Sequence, residues 1–258
     1  MSDEPVTYVR TGTAGTPAVV CLHGIGSNAD AFRDVLALLA PTHQGIAPNT
    51  PGYGGSIPLP TAHPAVTDYA TALVAFLDRL ALPAWHLVGS SMGALIAAAV
   101  AAAHPGRVES LLLTAPATGA GRTPETRQAE LTARADLIAL GPARMAETRA
   151  PQLIAGNAPG PLHAVKEATR ALDPAAYMQA AHVLAGGDIF TYTPHIQART
   201  LIVCGTADKV APPEDHARPI SEAIPGSELV LLPDLGHVIE LEAPEALAAL
   251  IARHTTSP

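Results

Sequence analysis

The sequence predicts an α/β fold, in which a mostly parallel sheet is flanked by helices and carries an inserted helical segment. Short apolar runs alternate with helical stretches through residues 18–114 and again through 200–254. Repeated β-α units with short connections form a parallel sheet that is covered by helices on both faces. Between residues 119 and 199 no run is typical of a strand, and Gly and Pro separate short helical stretches. We therefore expect a core of residues 1–118 and 200–258 and a helical lid of residues 119–199.

The strands and helices of this core follow from the hydrophobic pattern. Buried strands are predicted, as short apolar runs, at 18–22, 45–47, 85–88, 110–114, 200–204 and 228–232. Helices are predicted between them at 29–39, 65–80 and 94–103, after Pro213, and from 244 to about 254. Asn28 is placed to act as the N-cap of the first of these helices, because its side chain can accept a hydrogen bond from the first turn.

Composition narrows the class of protein. The chain has 258 residues, of which 48% are hydrophobic and 15% charged, as in a globular protein. A formal net charge of −8 argues against a nucleic-acid partner. The longest apolar run, 94–103, is too short to span a membrane. Cys21 and Cys204 lie in apolar runs and are expected to be buried thiols. Residues 1–5 do not resemble a secretory signal, so we expect a cytoplasmic protein.

One motif indicates chemistry. Gly89-Ser90-Ser91-Met92-Gly93 joins a predicted strand directly to a predicted helix, which is the context that a G-x-S-x-G nucleophile elbow requires. The sharp turn exposes the Ser91 hydroxyl above the sheet, and only small neighbours tolerate its strained backbone. Met92 then begins the helix, so its N–H group is a candidate donor to an oxyanion.

A serine nucleophile needs a base, and the base needs an orienting acid. Asp208 follows a buried strand, and His237 lies in the loop after the last strand. Open α/β sheets build their sites at the carboxyl ends of the strands, where both residues are expected. Asp208 alone could instead cap a helix, and His237 alone could be a loop histidine, but with Ser91 they complete a candidate catalytic triad.

The loop of residues 22–28 is predicted to supply the second half of an oxyanion hole. Its glycines let the backbone approach a substrate, and the N–H of Ile25 is the best candidate donor opposite Met92. His23 could be taken for a base, but we expect it to hold the loop by hydrogen bonds, because His237 already fills that role.

Taken together, these motifs resemble the α/β-hydrolase superfamily. They are His23-Gly24, the 51–56 loop, Gly89-x-Ser91-x-Gly93, Gly205-x-x-Asp208, and Gly236-His237 with Glu242-x-Pro244. Within the superfamily, the chain length, the Ser-Met-Gly elbow and the lid sequence 145–188 resemble the 3-oxoadipate enol-lactonases. They are similar, more loosely, to the meta-cleavage-product hydrolases. Asn49 stands where many members have Asp, and Ala94 where many have a third glycine.

The resemblance implies a cofactor-free serine hydrolase that cleaves a carboxylic ester or enol-lactone of a small organic acid through an acyl-enzyme. A C–C bond hydrolase of vinylogous diketones is the closest alternative, since its chemistry differs mainly in a ketonisation step before attack. A signal receptor or regulator with this fold and slow turnover is a second alternative. Serine at position 91 argues against the relatives that use a carboxylate nucleophile.

The charge of the predicted lid indicates that the substrate carries a negative charge. Residues 119–199 hold 8 of the 15 Lys and Arg and 7 of the 23 acids, a net of +1, against 7 minus 16, or −9, elsewhere. We expect a lid arginine to pair with a substrate carboxylate, unless these arginines merely solvate the outer helix faces. The candidate substrate-binding residues are Asn28, Arg122, Arg127, Arg134 and Arg144, and Arg149 and Arg170 are further lid arginines.

No metal or cofactor is expected. His163, His182 and His195 are scattered through the lid without the spacing of metal ligands. The glycines at 24 and 26 lack the further glycine and the lysine of a phosphate-binding loop. The expected partner is a small-molecule substrate, not a nucleic acid or a membrane, and the sequence leaves a homo-oligomer open.

Overall fold

The computed structural model describes residues 6–121, 123–156 and 158–256, so Arg122 lies outside the described residues. Seven strands form one sheet in the order β1-β3-β2-β4-β5-β6-β7. The strands are β1 (Tyr8–Thr11), β2 (Ala18–Leu22), β3 (Gln44–Pro48), β4 (Trp85–Ser90), β5 (Val108–Thr114), β6 (Arg199–Gly205) and β7 (Glu228–Leu232). Only β1 runs antiparallel to its neighbour β3, and the other pairs are parallel. The predicted α/β fold with a mostly parallel sheet is confirmed.

Ten α-helices accompany the sheet in the described residues. They are α1 (Arg33–Leu39), α2 (Val66–Arg79), α3 (Met92–Ala103), α4 (Pro124–Ala139), α5 (Pro142–Leu153), α6 (Pro159–Arg170), α7 (Pro174–Gly186), α8 (Ala217–Ala223), α9 (Ile239–Glu242) and α10 (Pro244–Thr256). The helix predicted at 29–39 begins instead as a 3₁₀ turn, Ala29–Phe32. Asn28 caps that turn as predicted, because its side chain accepts a hydrogen bond from Asp30 N–H at 3.0 Å.

Strand β1 was not anticipated from the sequence. Its residues pair with β3 from Tyr8 opposite Pro48 to Thr11 opposite Gly45. The strand is short, and its residues range from half-buried to exposed, so it lacks the continuous apolar run of the interior strands. An edge strand of this kind is fixed by pairing rather than by its own hydrophobic pattern.

The core lies on both faces of the sheet. In β2, Val20 and Leu22 pack on the face covered by α2 and α3, whereas Val19 and Cys21 pack on the face of α1 and α10. This alternation buries both faces, as parallel sheets require. Cys21 and Cys204 are buried free thiols.

Helix α3 is the central support of the sheet. Every residue from Met92 to Ala101 is buried, and five of these ten are alanines. Small side chains on all sides allow the helix to lie close to β4, β5 and α2. The close packing fixes the N-terminus of α3, and with it the turn at Ser91.

A helical insertion, residues 119–198, lies between β5 and β6. It carries α4 to α7, and none of its described residues forms a strand. Two backbone hydrogen bonds close its base, from Ala120 to Leu184 at 2.9 Å and from Gly121 to Gly187 at 2.7 Å. Strand β6 begins at Arg199, so that residue belongs to the sheet. No helix within the described ranges is long and apolar enough to cross a membrane.

Candidate active site

The turn at Ser91 is strained and sterically enforced. Ser91 adopts φ 54° and ψ −113° at the junction of β4 and α3. A Cβ on Gly89 would lie 2.4 Å from the Gly93 carbonyl oxygen, and a Cβ on Gly93 would lie 2.3 Å from the Leu22 carbonyl oxygen. Both glycines are therefore needed so that strand and helix can meet at this angle.

His237 and Asp208 are brought together from the ends of β7 and β6. The Asp208 Oδ2 atom lies 2.8 Å from His237 Nδ1, and both side chains are buried. Asp208 Oδ1 accepts hydrogen bonds from the N–H groups of Val210 at 2.8 Å and Ala211 at 2.9 Å. Burial opposes ionisation, but the hydrogen bond from His237 and these backbone donors outweigh it and lower the pKa of Asp208. The carboxylate is thus held ionised against the imidazole.

The loop that carries His237 is tied to the helical insertion. His237 N–H donates to the Leu153 carbonyl at 2.9 Å. The Glu242 carboxylate accepts from Gly236 N–H at 3.0 Å and from Ala155 N–H at 2.8 Å. His237 is therefore fixed by the sheet domain and the insertion together.

The loop after β2 lies directly beside Ser91. A Cβ on Gly24 would come within 3.0 Å of the Ser91 Cβ atom. His23 is buried and accepts a hydrogen bond from Thr50 N–H at its Nε2, while its Nδ1 lies 2.9 Å from the Gly24 carbonyl. Burial lowers the pKa of His23 to about 4, so it is neutral and holds the loop, as expected.

A cavity of about 480 Å³ opens above this turn. Its walls come from the sheet domain, including Ile25, Asn28, Ser91 and His237, and from the insertion. The apolar residues of the insertion wall include Met145, Leu153 and Val165. Val238 and Leu241, from the segment after His237, add further apolar surface. Ser91 and His237 thus line one cavity that is large enough for a small organic molecule.

Two arginines of the insertion line the same cavity. Arg134 donates to Glu130 Oε1 at 2.7 Å and to the Tyr177 hydroxyl at 3.3 Å. Burial opposes its charge, but Tyr177 and Glu130 outweigh burial and raise the pKa of Arg134. Arg149 donates to the uncharged amide of Gln152 at 2.8 Å. Burial, and then the charge of Arg134, lower the pKa of Arg149, so the two cations destabilise each other in the cavity.

Two of the arginines named from the sequence do not reach the cavity. Arg127 and Arg144 are exposed and lie outside its lining. Those two predictions are wrong for different reasons, neither of which the sequence pattern revealed. Arg127 lies on nearly the same face of α4 as Arg134 but about two turns nearer the start of the helix, beyond the cavity. Arg144 is rotated away from the cavity, since it points away from the face of α5 that carries Arg149, five residues on.

The structure also adds a residue that the sequence reasoning missed. Glu240, in α9, is buried and lines the cavity beside Ser90. A glutamate in the last helical region carries no sequence signal of burial, because such residues usually face solvent. Among the described residues, no group of three or more His, Cys, Asp or Glu side chains could hold a metal ion.

The sequence matches the alpha/beta hydrolase fold family over residues 17–244. The chain therefore belongs to that family. An enol-lactonase from Burkholderia xenovorans LB400 is similar in structure, with a TM-score of 0.88 and 22% sequence identity. That similarity covers 98% of this chain and 96% of the enol-lactonase chain, and it concerns the fold.

Two curated relatives are similar in sequence. The dihydrolipoyllysine-residue acetyltransferase component of the acetoin cleaving system of Cupriavidus necator is 28% identical over 96% of this chain. A 2-hydroxy-6-oxononadienedioate/2-hydroxy-6-oxononatrienedioate hydrolase of Pseudomonas putida is 38% identical over 41% of this chain. The matches span 66% and 38% of the lengths of these two relatives, less than two thirds of either.

The steric need for Gly93 gives a test of the turn. Gly93→Ala is expected to destabilise the fold by about 1–3 kcal/mol, because the new Cβ collides with the Leu22 carbonyl. Gly160→Ala is the matched control, since Gly160 is also helical and has nothing within 4 Å of a Cβ. Gly160→Ala should be neutral or stabilising by about 0.5–1 kcal/mol. Urea unfolding of both variants measures the difference, and equal stabilities would contradict the steric account.

Proposed function

We propose that this chain is a serine hydrolase that cleaves a carboxylic ester or enol-lactone of a small organic acid through an acyl-enzyme. The observation that carries the proposal is the shared cavity of Ser91 and His237, with His237 hydrogen-bonded to Asp208. Ser91 attacks the carbonyl carbon, His237 accepts its proton, and Asp208 holds the imidazole in the required tautomer. His237 then gives this proton to the alcohol or enol oxygen, whose bond to the carbonyl carbon breaks as the acyl-enzyme forms. Water attacks the acyl-enzyme with His237 again acting as the base, and the acid product leaves as Ser91 regains its proton.

The oxyanion of each tetrahedral intermediate is assigned to two backbone donors. Ile25 lines the cavity on the loop beside Ser91, and Met92 is the first residue of α3. N–H groups at the start of a helix have no partner within the helix, and the helix dipole favours negative charge there. Donors fixed by the fold stabilise the developing charge without reorganisation.

We assign residues 119–198 as a lid over a core of residues 1–118 and 199–258, one residue short of the predicted lid boundary because Arg199 begins β6. Arg134, Met145, Arg149, Leu153 and Tyr177 of this segment line the cavity above Ser91. A lid in this position excludes water and sets the shape of the acyl pocket. The hydrogen bond from His237 N–H to the Leu153 carbonyl supports a role for the lid in placing the base.

We assign the substrate a free carboxylate, recognised by Arg134 and Arg149. Both guanidinium groups line the cavity, where their mutual repulsion is relieved by an anion. Asn28 lines the opposite, sheet-domain side, although its side-chain oxygen already caps the 3₁₀ turn. The hydrolase relative of Pseudomonas putida is named for a dioate, a substrate with two carboxylates, which supports this assignment.

That same relative favours a second candidate function. Its name describes hydrolysis of an oxo-dienedioate, and its sequence is 38% identical over 41% of this chain. A C–C bond hydrolase would use the same triad after ketonisation of a vinylogous diketone in the cavity. Turnover of an enol-lactone compared with that of a ring-cleavage dienoate distinguishes the two.

The first prediction concerns the nucleophile. Ser91→Ala is expected to lower kcat by on the order of 10⁶, because the acyl-enzyme can no longer form. A serine-directed phosphonate should add one equivalent of mass to the wild-type chain, on the peptide that contains Ser91. Labelling of another serine, or activity retained in the alanine variant, would contradict the proposal.

The second prediction concerns the acid. Asp208→Asn is expected to leave KM nearly unchanged and to lower kcat by about 10⁴, since the amide stabilises the wrong tautomer of the imidazole. Asp215→Asn, an exposed change of the same chemistry seven residues on, serves as the control. If both variants kept wild-type kcat, Asp208 would not be the acid of the triad, and Asp234 would be tested next.

The third prediction concerns the carboxylate. Arg134→Ala and Arg149→Ala are each expected to lower kcat/KM ten- to hundredfold for the free acid, about 1.5–3 kcal/mol, but not for its methyl ester. Arg127→Ala and Arg144→Ala are the controls, because they remove the same charge from exposed positions of the same helices. Both should discriminate between the free acid and its methyl ester as the wild type does. A wild-type preference for the neutral ester would show a general esterase instead.

A further inference from the structure

A buried carboxylate lies beside the nucleophile elbow. Glu240 is 2% exposed, and its Oε1 and Oε2 atoms lie 3.1 Å and 3.3 Å from the Ser90 hydroxyl, which donates to them. Ser90 immediately precedes Ser91, and both Ser90 and Glu240 line the cavity. The triad described above does not use this acid.

The contact joins the two segments that carry nucleophile and base. Glu240 follows His237 by three residues, in α9, whereas Ser90 ends β4, 150 residues away in sequence. The Ser90 to Glu240 hydrogen bond is thus a direct side-chain link from the elbow to the base segment. Such a bond between buried groups is strong when one partner is ionised.

Burial and neighbouring polar side chains together set the pKa of Glu240. Burial, the largest effect, raises the pKa of Glu240 to about 7, although the Ser90 hydroxyl and His237 act to lower it and Glu242 acts to raise it. Cys21 of β2 also faces it, since the Glu240 charge raises the pKa of that thiol.

Three helices and one 3₁₀ turn also pack against α9 and bring further side chains to this region. Helix α6 brings His163 and Glu167 to the same cavity, and the 3₁₀ turn before α1 brings Asp30. Helices α1 and α10 present apolar side chains to the cluster that contains Ile239. His237 is therefore the group of opposite charge that Glu240 faces when the imidazole is protonated.

We propose that Glu240 is a positioning residue, which holds the base segment against the elbow through Ser90 and whose negative charge stabilises the His237 imidazolium formed during proton transfer. The inference rests on the proposed serine-hydrolase function. Asp208 and Glu240 then place carboxylates around one imidazole in two different ways. Asp208 bonds it directly, whereas Glu240 acts through the Ser90 contact and through its charge.

The charge on Glu240 makes its contribution depend on pH. Above about pH 7 the carboxylate is ionised and favours the imidazolium of the transition state. Below that pH it is protonated, and this stabilisation is lost. The ratio of the wild-type kcat to the kcat of a variant without this charge must therefore grow as the pH rises through 7.

Glu240→Gln tests the charge, because the amide oxygen can still accept the Ser90 hydrogen bond. We expect kcat to fall on the order of tenfold at pH 8.5 with KM nearly unchanged, and the ratio to wild type to approach one near pH 5.5. Glu245→Gln, an exposed change of the same chemistry in α10, should match wild type at every pH. A ratio for Glu240→Gln that is the same at every pH would overturn the proposal.

Ser90→Ala tests the hydrogen bond by itself and serves if Glu240→Gln fails to fold. Loss of the donor raises the pKa of Glu240 further, so the charge is lost over a range of pH just above 7 where the wild type still has it. The ratio of the Ser90→Ala kcat to the wild-type kcat should therefore fall from its value at pH 5.5 as the pH rises through 7. A ratio that is the same at pH 5.5 and just above pH 7 contradicts the proposal.

Two readouts do not need turnover. Carbon-13 NMR of labelled glutamate should show one carboxyl that titrates near pH 7, absent in Glu240→Gln and shifted upward in Ser90→Ala. Because the pKa of Glu240 is higher in the folded state than in the unfolded state, its protonated form stabilises the fold. This contribution to the free energy of unfolding is fully present below about pH 4.5 and is lost as the pH rises through about 7. Relative to wild type, Glu240→Gln should therefore gain in Tm between pH 5 and pH 8.

These outcomes separate the two claims. If the phosphonate does not label Ser91, the proposed function fails, whatever the titration of Glu240. If Ser91 is labelled but no glutamate titrates near pH 7, or the rate ratio does not change with pH, this inference alone fails.

Discussion

Backbone approaches backbone more closely around Ser91 than any side chain would allow, and the rest of the site is arranged about that contact. Gly93 lies against the Leu22 carbonyl, and Gly89 lies against the first turn of α3. These approaches hold Ser91 at positive φ and bring the loop after β2 beside it. The strain is sustained by the packing of α3, whose alanine-rich surface is buried on every side. Close packing thus holds Ser91, the loop after β2 and helix α3 in fixed positions relative to one another.

The base is positioned differently, because it sits in a loop rather than on a helix. Asp208 fixes the ring, and the loop itself is fixed by Glu242 and by the carbonyl of Leu153 in the helical insertion. A movement of the insertion therefore acts on His237 as well as on the walls of the cavity. Substrate recognition by the insertion and placement of the base are coupled through these few hydrogen bonds.

Charge is distributed unevenly within the cavity. Arg134 and Arg149 lie on the insertion side, and Glu240 lies near the elbow. Under the proposed function, the arginines would attract the carboxylate end of a substrate and leave its carbonyl to face Ser91. The buried carboxylates on the sheet side would repel that anion, so the same arrangement favours a single orientation in the cavity.

The sequence by itself determined the parallel sheet, its interior strands and the positions of Ser91, Asp208 and His237, since buried strands and the glycine-flanked turn leave local patterns. Strand β1 left none, because its half-exposed residues are ordered by pairing with β3. The tertiary structure alone decided that Arg134 and Arg149 face the cavity while Arg127 and Arg144 face outward. It also decided that Glu240 is buried against Ser90, 150 residues away. These last features depend on how each helix packs against segments that are distant in sequence. When the polar residues of a helix face both solvent and a polar cavity, the hydrophobic periodicity does not show which polar face points inward.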